Sequence, residues 1–222
     1  MGANNTKGIM IYTDLRTERM LAVLDQVSAQ TNSTQQTIEK DWWVTQVLRV
    51  LFSLPYAEHL SFKGGTSLSK AWNIIERFSE DIDIAISREY LGFVGELSRT
   101  QVSDKLRRAA CSFVRDKMQN DLRKGLVALG IAPEKFNVYV NITSVSTTDP
   151  EVIYIDYESV LPNSEYIAHI NTIVGLRDTI YVERVVYKDV IIDTLNKVET
   201  GTICLERNDI FNKSSRHISA NI

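Results

Sequence analysis

The chain has 222 residues, 44% hydrophobic and 24% charged, enough to bury a real core as one large domain or two small ones. Its net charge of −3 gives no overall attraction to nucleic acid or membrane, so any RNA contact needs a local basic patch. No run of about 18 apolar residues is present to span a bilayer, Met1 to Asp14 shows no secretory pattern, and Cys111 and Cys204 have no metal-ligand spacing, which together point to a reducing, cytoplasmic setting.

Residues 1–13 read as a lead-in. Leu15, Leu21, Leu24 and Val27 recur at mostly helical spacing and predict a helix from Asp14 to about Ala29. Ser33 or Thr34 can cap a second helix, with Ile38, Trp42, Thr45, Leu48 and Leu51 along one face and Pro55 beyond its end. Trp42 and Trp43 read as packing residues. A short strand is expected from His59 to Lys63, followed by a turn at Gly64 and Gly65 into a helix whose apolar face is Leu68, Trp72 and Ile75. A second strand is expected from Asp81 to Ile86, with Ile82, Ile84 and Ile86 on one face. From Val102 to about Leu129 the pattern predicts a long helix, with Leu106, Ala110, Phe113, Met118 and Leu122 inward and a basic row from Lys105 to Lys124 outward. Gly130 and Pro133 end it. Four β segments follow: Phe136 to Ser146, Val152 to Tyr157, Tyr166 to Val174 and Thr179 to Tyr187. The tail after Asp189 has weak periodicity.

Chemistry concentrates in Phe62 to Ile84, FKGGTSLSKAWNIIERFSEDIDI. Strand side chains alternate, so Asp81 and Asp83 point to the same side of the sheet with Cα atoms roughly 6 to 7 Å apart. Two carboxylates that close repel each other, and a divalent cation with hard oxygen preferences, Mg2+ above all, relieves the repulsion. Gly64 and Gly65 let the backbone approach a ligand at a helix N-terminus, where free N–H groups favour phosphate. The pattern is not a P-loop, since no Gly-Lys-Ser/Thr follows, and not a dinucleotide fingerprint. A phosphate cradle beside paired carboxylates reads as a site for metal-bound nucleotide. Lys63, Gly64, Gly65, Thr66, Ser67, Arg77 and Ser79 are the candidate nucleotide-binding residues. Asp81 and Asp83 are the candidate metal ligands and catalytic residues. The plainer alternatives are a strand-to-helix turn and solvent-facing charge on an edge strand. His59, His169 and His217 are scattered, and none is assigned as a ligand.

FKGGTSLSKAW followed by ERFSEDIDI, with IEKDWWVTQVLRVLF upstream, resembles the AbiEii/AbiGii-type nucleotidyltransferase toxins of bacterial abortive-infection and toxin–antitoxin systems. The likeness is closest over Ile38 to Ile86 and thinner to about Arg177. It implies an α+β fold: a polymerase-β-like nucleotidyltransferase core, a mixed sheet flanked by helices, behind a helical N-terminal segment. On this reading residues 1–54 are the helical region, 55–190 the core, and 191–222 a divergent or shortened tail. The resemblance further implies that the glycine turn holds the phosphates of an NTP and that Asp81 and Asp83 coordinate Mg2+ or Mn2+ bridging them. Nucleotides would pass to an RNA acceptor such as a tRNA end, and a cognate antitoxin would be the protein partner, with no membrane involved. A third acid is expected near Asn171 to Asp178, where Ile173 stands in its place; Asp156, Asp178 and Glu183 are the candidates. Lys188 is the candidate for the family's basic residue near the transferred phosphate. Because the C-terminal half departs from the family pattern, two rivals stand beside an RNA-directed nucleotidyltransferase: a non-catalytic nucleotide-binding remnant, and a metal-dependent phosphohydrolase.

Overall fold

The computed structural model describes residues 12–72, 81–141, 151–161 and 169–176. Helix α1 spans Thr17–Thr31 after a 3-10 turn at Tyr12–Asp14, so it begins three residues later than the leucine spacing suggests. Asn32 ends it in the left-handed conformation, φ 53°, which asparagine tolerates better than most residues. Helix α2, Gln35–Leu51, starts at Thr34, whose Oγ1 accepts a hydrogen bond from the Thr37 amide at 3.2 Å. Of the expected face, Leu48 and Leu51 are buried, but Trp43, Val44, Val47 and Val50 join them in place of Ile38, Trp42 and Thr45. The sequence from Trp42 to Leu51 is apolar almost throughout, so several stripes are available and packing chooses between them. Trp42 packs instead against Tyr12, with ring centroids 5.3 Å apart.

Five strands form one sheet in the order β1-β2-β5-β4-β3: β1 Leu60–Lys63, β2 Ile82–Ile86, β3 Phe136–Val140, β4 Glu151–Tyr157 and β5 His169–Leu176. β2 and β5 are parallel and every other pair is antiparallel, which makes the sheet mixed and the architecture α+β. The segment expected as a strand from Thr179 to Tyr187 lies outside the described residues. Between β1 and β2 sits the short helix α3, Gly64–Lys70. It buries Thr66 and Ser67, while Leu68, expected inward, is 41% exposed. Lys70 ties α3 to α2, its Nζ 2.6 Å from Asp41 Oδ1 and 3.1 Å from Thr45 Oγ1.

The long helix expected from Val102 is a continuous helical run over residues 99–128 with two wide π-helical turns, Gln101–Leu106 and Phe113–Met118, interleaved with α4 (Arg107–Ser112) and α5 (Gln119–Ala128). Its buried residues are Leu106, Ala110, Val114, Met118, Leu122 and Leu126, a strict spacing of four. In a pure α-helix such a stripe rotates about 40° per step. The wider π turns take up that drift and keep the stripe on the sheet. Gly130, φ 94°, closes the run.

One face of the sheet is aliphatic. Ile82, Ile84, Val138, Ile153, Ile155, Ile170 and Val174 join Val44, Val47 and Leu51 of α2 and Leu122 and Leu126 of α5 in a single core. Gly125 of α5 lies so close to α2 that a Cβ there would overlap Val50 Cγ1 and come within 3.2 Å of Cγ2. The opposite parity of the same strands is mixed in polarity and mostly half-exposed: Asp81 and Asp83, then Asn171 and Ile173, then Val152, Tyr154 and Asp156, then Asn137 and Tyr139. This second face positions the site.

Candidate active site

β1 ends in Lys63, Cα-paired with Asp83 on β2, and the chain then turns at Gly64. That residue has φ +75°, and a Cβ on it would overlap the Asp83 carboxylate and lie 2.7 Å from its Cγ. Glycine is therefore required twice at this position, for the left-handed backbone and for the space that the carboxylate occupies. The other aspartate is gripped from both sides. Thr66, fully buried, donates its hydroxyl to the Asp81 carbonyl oxygen. Asn171, on the parallel strand β5, donates from Nδ2 to Asp81 Oδ1 at 3.0 Å.

The turn thus lies against the Asp83 carboxylate and, through Thr66, against the Asp81 backbone. Lys63 is exposed beside it, Gly65 is half-buried, and Thr66 and Ser67 are buried in the first turn of α3. No side-chain oxygen caps α3 at Lys63, so the amides of that turn have no side-chain acceptor from the cap residue. Burial raises the Asp83 carboxyl above the ordinary carboxylate range; the Lys63 ammonium opposes the rise and Asp81 adds to it. Like charge in a half-buried site is the condition that a hard cation relieves. The donor set fits one: two carboxylates on one strand, with the Asn171 Oδ1 buried beside them and without a hydrogen-bond partner, all oxygen ligands of the kind that Mg2+ and Mn2+ prefer.

No third carboxylate stands beside them among the described residues. The β5 positions adjoining the aspartates are Asn171, bonded to Asp81, and Ile173, in register with Asp83. Asp156 shares the polar face but lies on β4, in register with His169 and Asn137. Two strand spacings across the sheet put it roughly 10 Å from the β2 line. It accepts a long hydrogen bond, 3.4 Å, from the Tyr139 hydroxyl. Among the described residues no three His, Cys, Asp or Glu side chains cluster as a metal site. Arg77, Ser79, Asp178, Glu183 and Lys188 lie outside the described residues.

The basic row of the long helix is mostly occupied within the chain. Arg115 pairs with the buried Glu151 at 2.7 Å, Arg108 with Asp104 at 2.9 Å and Lys117 with Asp121 at 3.0 Å, and Arg123 donates to the Val138 carbonyl oxygen. Three features of the polar face were not legible in the sequence: the amide at Asn171, the Tyr139–Tyr154 pair, and the placing of Asp156. Their positions are set by strand register, and the one available signal was that Tyr139 and Tyr154 interrupt aliphatic runs at the outward parity.

The profile of one family, described as nucleotidyl transferase AbiEii toxin, type IV TA system, matches residues 46–209, more than half of the chain. The match spans β1, the glycine turn, both aspartates and all of β5. Neither the curated proteins nor the solved structures give a match. Among the described residues no helix is long and apolar enough to cross a membrane.

Proposed function

Because the chain belongs to the AbiEii nucleotidyl transferase toxin family, we propose that it transfers a nucleotide from a metal-bound NTP to an RNA acceptor, a tRNA end being one such acceptor. The observation that supports this reading is the packing of Gly64 against the Asp83 carboxylate, with Thr66 of the same turn bonded to the Asp81 backbone. Asp81 and Asp83 would hold Mg2+ or Mn2+, which supplies neutralisation of triphosphate charge and polarisation of the α-phosphorus. The chain's own residues supply alignment. Amides around Gly65 and Thr66 receive the phosphates, Lys63 at the rim adds positive charge beside them, and Thr66 and Asn171 fix Asp81 so that no reorganisation is needed at the moment of reaction. The acceptor hydroxyl, releasing its proton to solvent water, attacks the α-phosphorus in line, the bond to the α,β-bridging oxygen breaks, and pyrophosphate leaves. Arg77 and Ser79 belong to the proposed nucleotide contacts, and Lys188 to the transfer step. A cognate antitoxin, as the type IV family description implies, is the proposed protein partner, in the cytoplasm.

A second reading, nucleotide binding without transfer, draws support from the amide and the isoleucine that adjoin the two aspartates on β5. Incubation with total RNA, Mg2+ and each α-labelled NTP in turn separates the readings, with the Asp81→Asn, Asp83→Asn variant as blank. Label in RNA from the wild type alone supports transfer. Bound nucleotide with no labelled product favours the non-catalytic reading, and inorganic phosphate release without labelled RNA identifies a phosphohydrolase.

A further inference from the structure

Strand register lines up Tyr139, Tyr154 and Asn171 side by side across β3, β4 and β5, and Asn171 reaches Asp81 on β2. The row therefore runs straight from a stacked ring pair to the candidate metal ligands. The two tyrosine rings have centroids 5.3 Å apart and planes 19° from parallel. Both are half-buried, on the face opposite the aliphatic core.

A cross-strand tyrosine pair stabilises a sheet modestly wherever it occurs. Its position here makes a second use available. In-line displacement needs the attacking hydroxyl opposite the leaving pyrophosphate. On the transfer reading the phosphates would lie toward the glycine turn, on the β1 side of the aspartates, and the acceptor would enter from the β5 side, over Asn171 and Tyr154. With strands about 4.8 Å apart, β4 and β3 lie roughly 10 and 14 Å from β2, within reach of the terminal bases of a strand whose 3′ hydroxyl is at the metal. Lys63, at the far rim, is the only lysine or arginine among the described strand residues of this face. The described strands of this face thus offer rings rather than cations, and stacking on aromatic side chains is how unpaired bases are held with little dependence on sequence.

We infer that the Tyr139–Tyr154 pair is the acceptor subsite, on which the unpaired 3′-terminal bases of an RNA stack while its end reaches Asp81 and Asp83. The inference rests on the transfer reading above. Asp156, two residues along β4 from Tyr154 and accepting from the Tyr139 hydroxyl, flanks the platform with acceptor oxygens, a surface suited to a base edge and hostile to phosphate.

The test is fluorescence anisotropy with fluorescein-labelled octa-adenylate and an abasic octamer of the same backbone, in the absence of NTP and divalent metal. Wild type should bind the base-bearing octamer at least tenfold more tightly than the abasic one. Tyr139→Ala with Tyr154→Ala should lose tenfold or more of the octa-adenylate affinity, with the salt dependence of binding unchanged. Phenylalanine at both positions should keep affinity within about twofold, and Tyr139→Leu with Tyr154→Leu, which preserves apolar bulk on the sheet, should lose it as the alanines do if those fail to fold. Equal binding of the two octamers, wild-type affinity in the folded leucine variant, or loss in the phenylalanine variant would overturn the inference. Binding is read here without nucleotide, so ring-dependent octamer binding in a protein that transfers no label would refute the transfer reading, and with it the acceptor role, while the base-stacking platform would stand.

Discussion

Gly64→Ala puts the site geometry at risk through a single methyl group. The residue sits at φ +75°, where a side chain costs about 1–2 kcal/mol. The added Cβ would overlap Asp83 Oδ2 and approach Cγ to 2.7 Å. β2 cannot retreat, because Asp83 is held in register with both Lys63 and Ile173, so the carboxylate must leave its rotamer at a further cost of about 0.5–1.5 kcal/mol. The sum is about 1.5–3.5 kcal/mol, or a melting temperature lower by about 3–14 °C for a chain of this size. Displaced from its neighbour, Asp83 should no longer share a cation with Asp81, and calorimetric titration with Mg2+ and a non-hydrolysable NTP analogue should show binding weakened tenfold or more. Gly125→Ala is the control. Its Cβ would collide with Val50, so overpacking of about 1–3 kcal/mol meets a helix-propensity gain of about 1 kcal/mol, and the loss of stability occurs away from the cleft. That variant should melt lower and bind nucleotide normally. Full Mg·NTP affinity in folded Gly64→Ala, or equal loss of affinity in both variants, would refute the reasoning.

Asp83 carries a raised carboxyl pKa, from burial first and from Asp81. Its contribution to the stability of the metal-free protein is therefore full below the unfolded carboxylate pKa of about 3.9 and is lost as pH rises through the higher folded value. Thermal melts in EDTA between pH 3.5 and 7 should show Asp83→Asn gaining on wild type as pH rises, and a constant difference would contradict the assignment. Asn171→Asp sets a third carboxylate beside Asp81 and Asp83, so it should melt lower than wild type in EDTA and gain more from added Mg2+; equal Mg2+ shifts would place residue 171 away from the cation. Glu39, 2% exposed, accepts from Ser159 Oγ at 2.6 Å and from the Val160 amide at 2.9 Å. Glu39→Ala should destabilise by about 2–3 kcal/mol in denaturant unfolding, and a loss under about 0.5 kcal/mol would show that these bonds do not hold the segment after β4.

What could be read from the sequence was local. Asp81 and Asp83 declare a common face because strand period is a property of a few neighbouring residues, and Gly64 announces a turn because it is followed by a hydroxyl-rich helix start. Register between distant strands leaves no such trace, which is why Asn171 beside Asp81, and Tyr154 beside Asn171, emerged only with the sheet assembled. The burial of Val114 in place of Phe113 depends on π turns that the i, i+3, i+4 template does not contain. The choice of Trp43 over Trp42 was open because both neighbours are large and apolar, and only the positions of α5 and the sheet decide it. Buried Glu39 ran against expectation for a charged residue, since its partners Ser159 and Val160 are more than a hundred residues away. Glu151, Asp104, Asp121 and the Val138 carbonyl take up four cations of the basic row from Lys105 to Lys124, and Glu151 and Val138 lie on strands that the helix pattern does not name.

The central claim is that Asp81 and Asp83 hold a nucleotide-bound divalent cation against the glycine turn. Isothermal titration of a non-hydrolysable NTP analogue answers it, run on wild type with Mg2+, on wild type in EDTA, and on the Asp81→Asn, Asp83→Asn variant with Mg2+. The account predicts saturable binding in the first case only, with the variant melting at or slightly above the wild-type temperature in EDTA because the like-charge repulsion is gone. Nucleotide binding of equal strength in the well-folded variant, or in wild type without metal, would contradict it.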